Sequence, residues 1–132
     1  MTLVPYRGTG PAMNDLISGT LDLGCDQTTN NSEQIRAGTI RGYAITTDTR
    51  VTALPDVPTT AEAGLPAMRM SGWNMLFATP GTPRPVVERL NRAVLAMLRD
   101  EAVRARMVAL GSLPASGERT SPEGARAFWQ AE

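Results

Sequence analysis

The chain has 132 residues, with 13 basic and 13 acidic side chains and no net charge. That balance argues against a nucleic-acid surface, because such domains carry excess cations that release counterions from phosphates. Every basic residue is arginine and histidine is absent, which removes Ser-His and Cys-His nucleophile systems, Schiff-base and phosphate-loop lysines, and histidine metal ligands; the lone Cys25 can form neither an internal disulfide nor a cysteine metal cage.

At 42% hydrophobic and 20% charged, the composition is that of an ordinary globular domain. No apolar run approaches the roughly 18 residues of a membrane span. The first eight residues lack the basic-then-apolar pattern of a signal peptide.

In chain order, Leu3 and Val4 end a short apolar piece before Tyr6-Arg7-Gly8-Thr9-Gly10. Pro11 suits a first helical turn, Ala12, Met13, Leu16 and Ile17 follow at helical spacing, and Gly19 stops the helix. Leu21 to Cys25 alternates as a strand does, the polar run Asp26 to Asn31 reads as a loop, and a short helix from Ser32 to Ala37 closes on Gly38. Ile40 to Thr46 reads as the next strand, followed by a loop punctuated by Pro55 and Pro58. Thr59-Thr60-Ala61-Glu62 has capping-box spacing, with Gly64 ending that turn. Trp73 to Thr79 is apolar enough for a buried strand.

Thr82 is expected to cap and Pro83 to begin the longest helix, whose Val86, Val87, Leu90, Val94, Met97 and Leu98 form an expected core stripe opposite Arg84, Glu88, Arg89, Arg92 and Arg99. Asp100 caps a second helix with Val103, Met107 and Leu110 inward and Gly111 as its stop. Thr120 or Ser121 before Pro122 starts a last helix containing Phe128 and Trp129. Alternating strands and helices with short loops indicate an α/β fold with a largely parallel, helix-covered sheet.

Ligands of open α/β sheets bind beyond the strand carboxyl ends, where loops lead into helix N-termini. Two loops have that position. Tyr6 to Gly10 combines close backbone approach at two glycines with the free N–H groups of a helix start, which favour a carboxylate; glycine and proline would equally serve a plain turn. Asp26, Gln27, Thr28, Thr29 and Asn30 supply neutral donors and acceptors alongside one carboxylate, although a solvated loop is also polar. Arg7 could pair with an anion or with a surface carboxylate. Cys25 has no base to activate it and reads as a small buried apolar residue. Asp48, Asp56 and Glu62 lack metal-loop spacing, and no metal or cofactor is expected.

Val4-Pro5-Tyr6-Arg7-Gly8, Pro11-Ala12, Asp15-Leu16, Gly19 and Asp22 together resemble the second lobe of the Bug or TctC-like receptors, the extracytoplasmic solute receptors of tripartite tricarboxylate transporters. The resemblance continues through Cys25-Asp26-Gln27-Thr28-Thr29-Asn30, Ile35-Arg36-Ala37-Gly38, Tyr43 to Thr47, Ala53 to Thr59, Glu62 to Leu65, Ala78 to Pro83 and Leu110-Gly111. Each motif is weak alone; their common order makes the match specific.

The resemblance implies part of a type II periplasmic-binding-protein fold, α/β, without its N-terminal lobe. Residues 1–70 would belong to lobe 2 and residues 71–132 to the segment and helices that return to lobe 1. It implies a periplasmic, non-enzymatic solute-binding component that captures a small carboxylate in an interlobe cleft: a di- or tricarboxylate, an amino acid or an aromatic acid. Tyr6, Arg7, Gly8, Thr9, Gly10 and Asp26 to Asn30 would face that cleft. Partners would be the membrane subunits of the transporter, with no nucleic acid. The alternative within the same fold is the effector domain of a transcriptional regulator. As part of a longer protein, the chain is expected to leave the Trp73–Ala78 and Val86–Leu98 apolar surfaces partly uncovered.

Overall fold

Local signals place the helices of the computed structural model, which describes residues 2–132. They are α1 (Thr9–Ile17), α2 (Thr28–Arg36), α3 (Arg84–Arg99), α4 (Glu101–Ala109), a 3-10 turn at Gly117–Thr120 and α5 (Pro122–Ala131). Gly38, at φ 71°, ends α2 with a left-handed turn in which Thr39 N–H reaches back to the Gln34 carbonyl at 3.0 Å. None of these helices is long and apolar enough to cross a membrane. Two compact units divide between Ser71 and Gly72.

In the first unit the core is built mainly from the proline-punctuated loop itself. Ile45, Val51, Ala53, Leu54 and Val57 are buried, with Ile35 of α2 packed against them. The segment before Ile45 passes hard against this cluster: a Cβ on Gly42 would stand 3.0 Å from Val57 and 3.2 Å from Ile35, so a side chain there would have to push the core aside. The capping box forms as its spacing implies. Glu62 N–H donates to Thr59 Oγ1 at 3.2 Å, and Thr59 N–H donates to Glu62 Oε2 at 2.7 Å. Arg50 Nε then grips the same carboxylate at 2.9 and 3.2 Å while its Nη1 donates to the Pro55 carbonyl at 2.9 Å, tying the turn to the loop that covers the core.

The second unit is helical. α3 packs on α4 and α5. Asp100 caps α4 by accepting from Ala102 and Val103 N–H, and Ser121 caps α5 by accepting from Gly124 N–H. Asn91 donates to the Thr120 carbonyl at 2.8 Å, and Arg84 spans Glu88 at 2.8 Å and Glu123 at 2.6 Å. Two edge-to-face pairs, Trp73 with Phe128 and Phe77 with Trp129, each at 5.9 Å, lay the extended 73–77 segment along α5.

Several expectations are corrected here. Among the described residues the segments read as strands form no ladder, and bends fall at Asp22, Ile40 and Thr46 within them. One parallel bridge joins Ile45 to Thr59, closed by Ile45 N–H to the Pro58 carbonyl at 2.9 Å and Thr60 N–H to the Ile45 carbonyl at 2.8 Å. A strand exists only with a neighbour about 4.8 Å away, and Leu21–Cys25 and Trp73–Thr79 have none among these residues. α2 begins at Thr28 rather than Ser32, so four of the six residues of the polar run are helical, and α3 begins at Arg84 after Pro83, without the expected cap from Thr82. Cys25 is exposed rather than buried, since no layer covers its segment. The α3 stripe is not simply core: Val87, Val94 and Leu98 are half-buried, while Val86, Leu90 and Met97 face outward. Leu76 and Phe77 are likewise 80% and 65% exposed.

Candidate functional site

The first unit brings the two polar segments together. α1 begins at Thr9 directly after Gly8, which offers no side-chain cap, and α2 begins at Thr28 after Gln27, which also provides none. A helix start without a side-chain cap, as at α1, offers main-chain N–H groups to an anion, which hydrogen bonds and the helix dipole both stabilise, whereas at the start of α2 the Asn30 N–H is already bonded to the Gln27 carbonyl at 3.0 Å. α3 also lacks a side-chain cap, and a proline in the first turn removes one main-chain donor there as Pro11 does in α1.

Asn30 joins the two segments. Its Nδ2 donates to Thr9 Oγ1 at 3.2 Å and to Asp26 Oδ1 at 3.0 Å. Asp26 Oδ1 also accepts from Gln27 N–H at 2.7 Å, so this carboxylate turns inward onto its own turn. The negative charge of Asp26 is thereby partly satisfied, which lowers its cost beside a site for anions. Behind the junction lies a cleft of about 80 Å³ lined on one side by Thr9, Ala12, Met13 and Leu16 of α1 and on the other by Leu21 and Gly24 to Asp26, with Asn31 at its end. Residues 9, 12, 13 and 16 share one helix face, which is why α1 presents a single half-buried wall. Asn31 Oδ1 is buried there without a partner.

The sequence-derived residues take different positions. Thr9, Asp26 and Asn30 meet in one hydrogen-bonded junction. Gly8 and Gly10 flank it, with open space where a Cβ of Gly10 would stand, so the α1 start is accessible to a ligand. Thr28 and Thr29 are half-buried in the first turn of α2, and Gln27 and Arg7 are exposed. Tyr6 points along α1 instead of outward: its hydroxyl donates to Asp15 Oδ2 at 2.6 Å, which, with the neighbouring negative charge, raises the phenol above its ordinary pKa. In the sequence Asp15 stands out only as part of the Asp15-Leu16 motif. Its spacing of nine residues from Tyr6 is too long for a helix-face rule to find.

Known proteins match this chain closely. The family model described as "Tripartite tricarboxylate transporter family receptor" matches residues 1–118. A UPF0065 protein of Agrobacterium vitis is 47% identical over 92% of this chain and 35% of its own length. Among solved structures, MatC (Rpa3494) from Rhodopseudomonas palustris with bound malate superposes with a TM-score of 0.91 at 41% identity, covering 97% of this chain and 44% of that one. The periplasmic binding protein BugD superposes at 0.87, also at 41% identity, over 97% of this chain and 42% of that one. The chain thus spans less than half the length of these proteins, and its architecture is part of the type II periplasmic-binding-protein fold.

Proposed function

Because the chain belongs to the tripartite tricarboxylate transporter receptor family, we propose that it forms one wall of a periplasmic, non-enzymatic receptor that captures a small carboxylate for a membrane transporter. The observation that carries this reading is the junction at Asn30, which holds the uncapped starts of α1 and α2 side by side. One ligand carboxylate sits on the N–H groups at the start of α1, within the loop Tyr6, Arg7, Gly8, Thr9 and Gly10. Along the segment Asp26, Gln27, Thr28, Thr29 and Asn30, the Gln27 amide and the Thr29 hydroxyl fix its orientation directly or through bridging water, while Asp26 and Asn30, bonded to each other, hold the segment in place. Residues up to about 70 act as part of lobe 2, and those from 71 onward return to lobe 1, whose opposing wall completes the cleft. The absence of lysine and histidine suits this role, since main-chain dipoles hold an anion without a titrating group. A relative solved with malate, of similar fold and 41% identity, supports a di- or hydroxycarboxylate over a sugar.

Calorimetry of the full-length receptor against a panel of di- and tricarboxylates, amino acids and aromatic acids tests the proposal. Binding of at least one carboxylate, weakened by substitution at Thr9 or Asn30, is expected. Silence toward every carboxylate, with binding of a sugar or a cation instead, would refute it.

A further inference from the structure

Asp15 lies on the second turn of α1, six residues and so about 9 Å along the helix from Thr9. It nevertheless holds both of the chain's approaches to that helix. Its side chain accepts the Tyr6 hydroxyl at 2.6 Å, a length typical of an O–H donor on an ionised carboxylate, which folds the Tyr6 side chain back along α1 and fixes the chain three residues before the helix begins. Its main-chain carbonyl accepts Leu21 N–H at 3.0 Å and the Ser18 hydroxyl at 3.1 Å. Gly19, left-handed at φ 78°, reverses the chain between them. The returning segment then runs to Asp26, and Asn30 bonds both Asp26 and Thr9. A closed circuit results, from Tyr6 through Asp15, Leu21, Asp26 and Asn30 back to Thr9, encircling the start of α1.

We propose that Asp15 is a positioning residue of the carboxylate site, setting the Tyr6–Gly10 loop through the Tyr6 hydroxyl and the Leu21–Asp26 segment through its main-chain oxygen. The proposal rests on the reading of that loop as the carboxylate contact. Asp15 does not touch the ligand in this scheme. A second carboxylate near an anion site would ordinarily repel the ligand; here the Tyr6 O–H dipole is turned onto it. The Tyr6 hydroxyl donor is therefore not free for the ligand, and Tyr6 contributes through the placement of Arg7 to Gly10.

A double-mutant cycle in the full-length receptor tests this, with malate as the probe. Tyr6→Phe and Asp15→Ala each remove one end of the bond and are expected to weaken malate binding about tenfold, the scale of one charge-assisted hydrogen bond. The double variant is expected to be no weaker than either single, because the shared bond is already lost. Asp15→Asn keeps an accepting oxygen and is expected to restore most of the affinity. Alanine is the better helix former, so a loss in Asp15→Ala cannot be assigned to a weakened α1. Tyrosinate absorbance adds a readout independent of ligand: in Asp15→Ala the Tyr6 phenol should titrate at lower pH than in the parent. Additive losses, an Asp15→Asn variant as weak as Asp15→Ala, or unchanged affinity with malate still bound would overturn the positioning role alone. A receptor that binds neither malate nor any other carboxylate overturns the site reading and the positioning role with it, while the Tyr6 titration still reports whether the bond exists.

Discussion

Gly124 offers a sharp test of how the second unit is built. It is the third residue of α5, its N–H donates to the capping Ser121 Oγ at 3.0 Å, and a Cβ there would lie only 1.9 Å from the Glu118 carbonyl oxygen. Non-bonded Cβ contacts essentially never come under 3.0 Å, so in Gly124→Ala the 3-10 turn and α5 must move apart by about 1 Å. That carbonyl is not free to move, since it accepts both Ser121 N–H at 3.1 Å and the Ser121 hydroxyl at 3.0 Å. Alanine in a helix should by propensity alone stabilise by about 0.5–1 kcal/mol. Against this stand about 1–3 kcal/mol of overpacking and about 1 kcal/mol for a disturbed cap. The net expectation is a loss of about 1–3 kcal/mol, or a melting point lower by roughly 3–10 °C. Both tryptophans, Trp73 and Trp129, lie in this unit, so tryptophan fluorescence during urea or thermal unfolding reads it selectively. A variant that melts at or above the parent would show that propensity alone governs the position, and would refute the close approach of the Glu118 carbonyl to α5.

Gly10→Ala is the opposite case. Nothing lies within 4 Å of the added methyl, so α1 should gain about 0.5–1 kcal/mol, while malate binding to the full-length receptor should fall because the methyl occupies the approach to the helix start; stabilisation with unchanged affinity would move the ligand elsewhere. Glu62 is held down to a pKa of about 2, first by the Arg50 hydrogen bond and then by Thr59 N–H. A carboxyl depressed in the folded state stabilises above its ordinary value of 4.5 and loses that contribution as pH falls toward 2. The melting-point gap between the parent and Glu62→Gln should therefore be full at neutral pH and shrink between about pH 4.5 and 2; a gap independent of pH would show that the charge on Glu62 contributes nothing.

What could be read from the chain was what neighbouring residues decide among themselves. Asp100 as a cap, Ser121 as one of two cap candidates beside Thr120, Thr59 with Glu62 as a capping box, and Gly19 and Gly38 as helix stops each depend on groups within a few positions, and each stands among the positions the spacing marked. The start of α2 was missed because Asp26 to Asn31 is polar throughout, and nothing in such a run distinguishes loop from first turn. The motif order also pointed correctly to the receptor family, since ordered spacing survives even where each motif is weak.

Tertiary structure alone decided the rest. Only folding could show that Asn30 reaches Thr9, 21 positions away, that Tyr6 is committed to Asp15, or that the Val51–Val57 loop supplies most of the core. It also decided that Leu21–Cys25 has no ladder among the described residues, that Cys25 is exposed, and that α3 leaves Val86, Leu90 and Met97 outward. The physical reason is one of range: caps and turns are satisfied by adjacent main-chain groups, whereas a ladder, a buried face or a ligand junction depends on which distant segment arrives beside it.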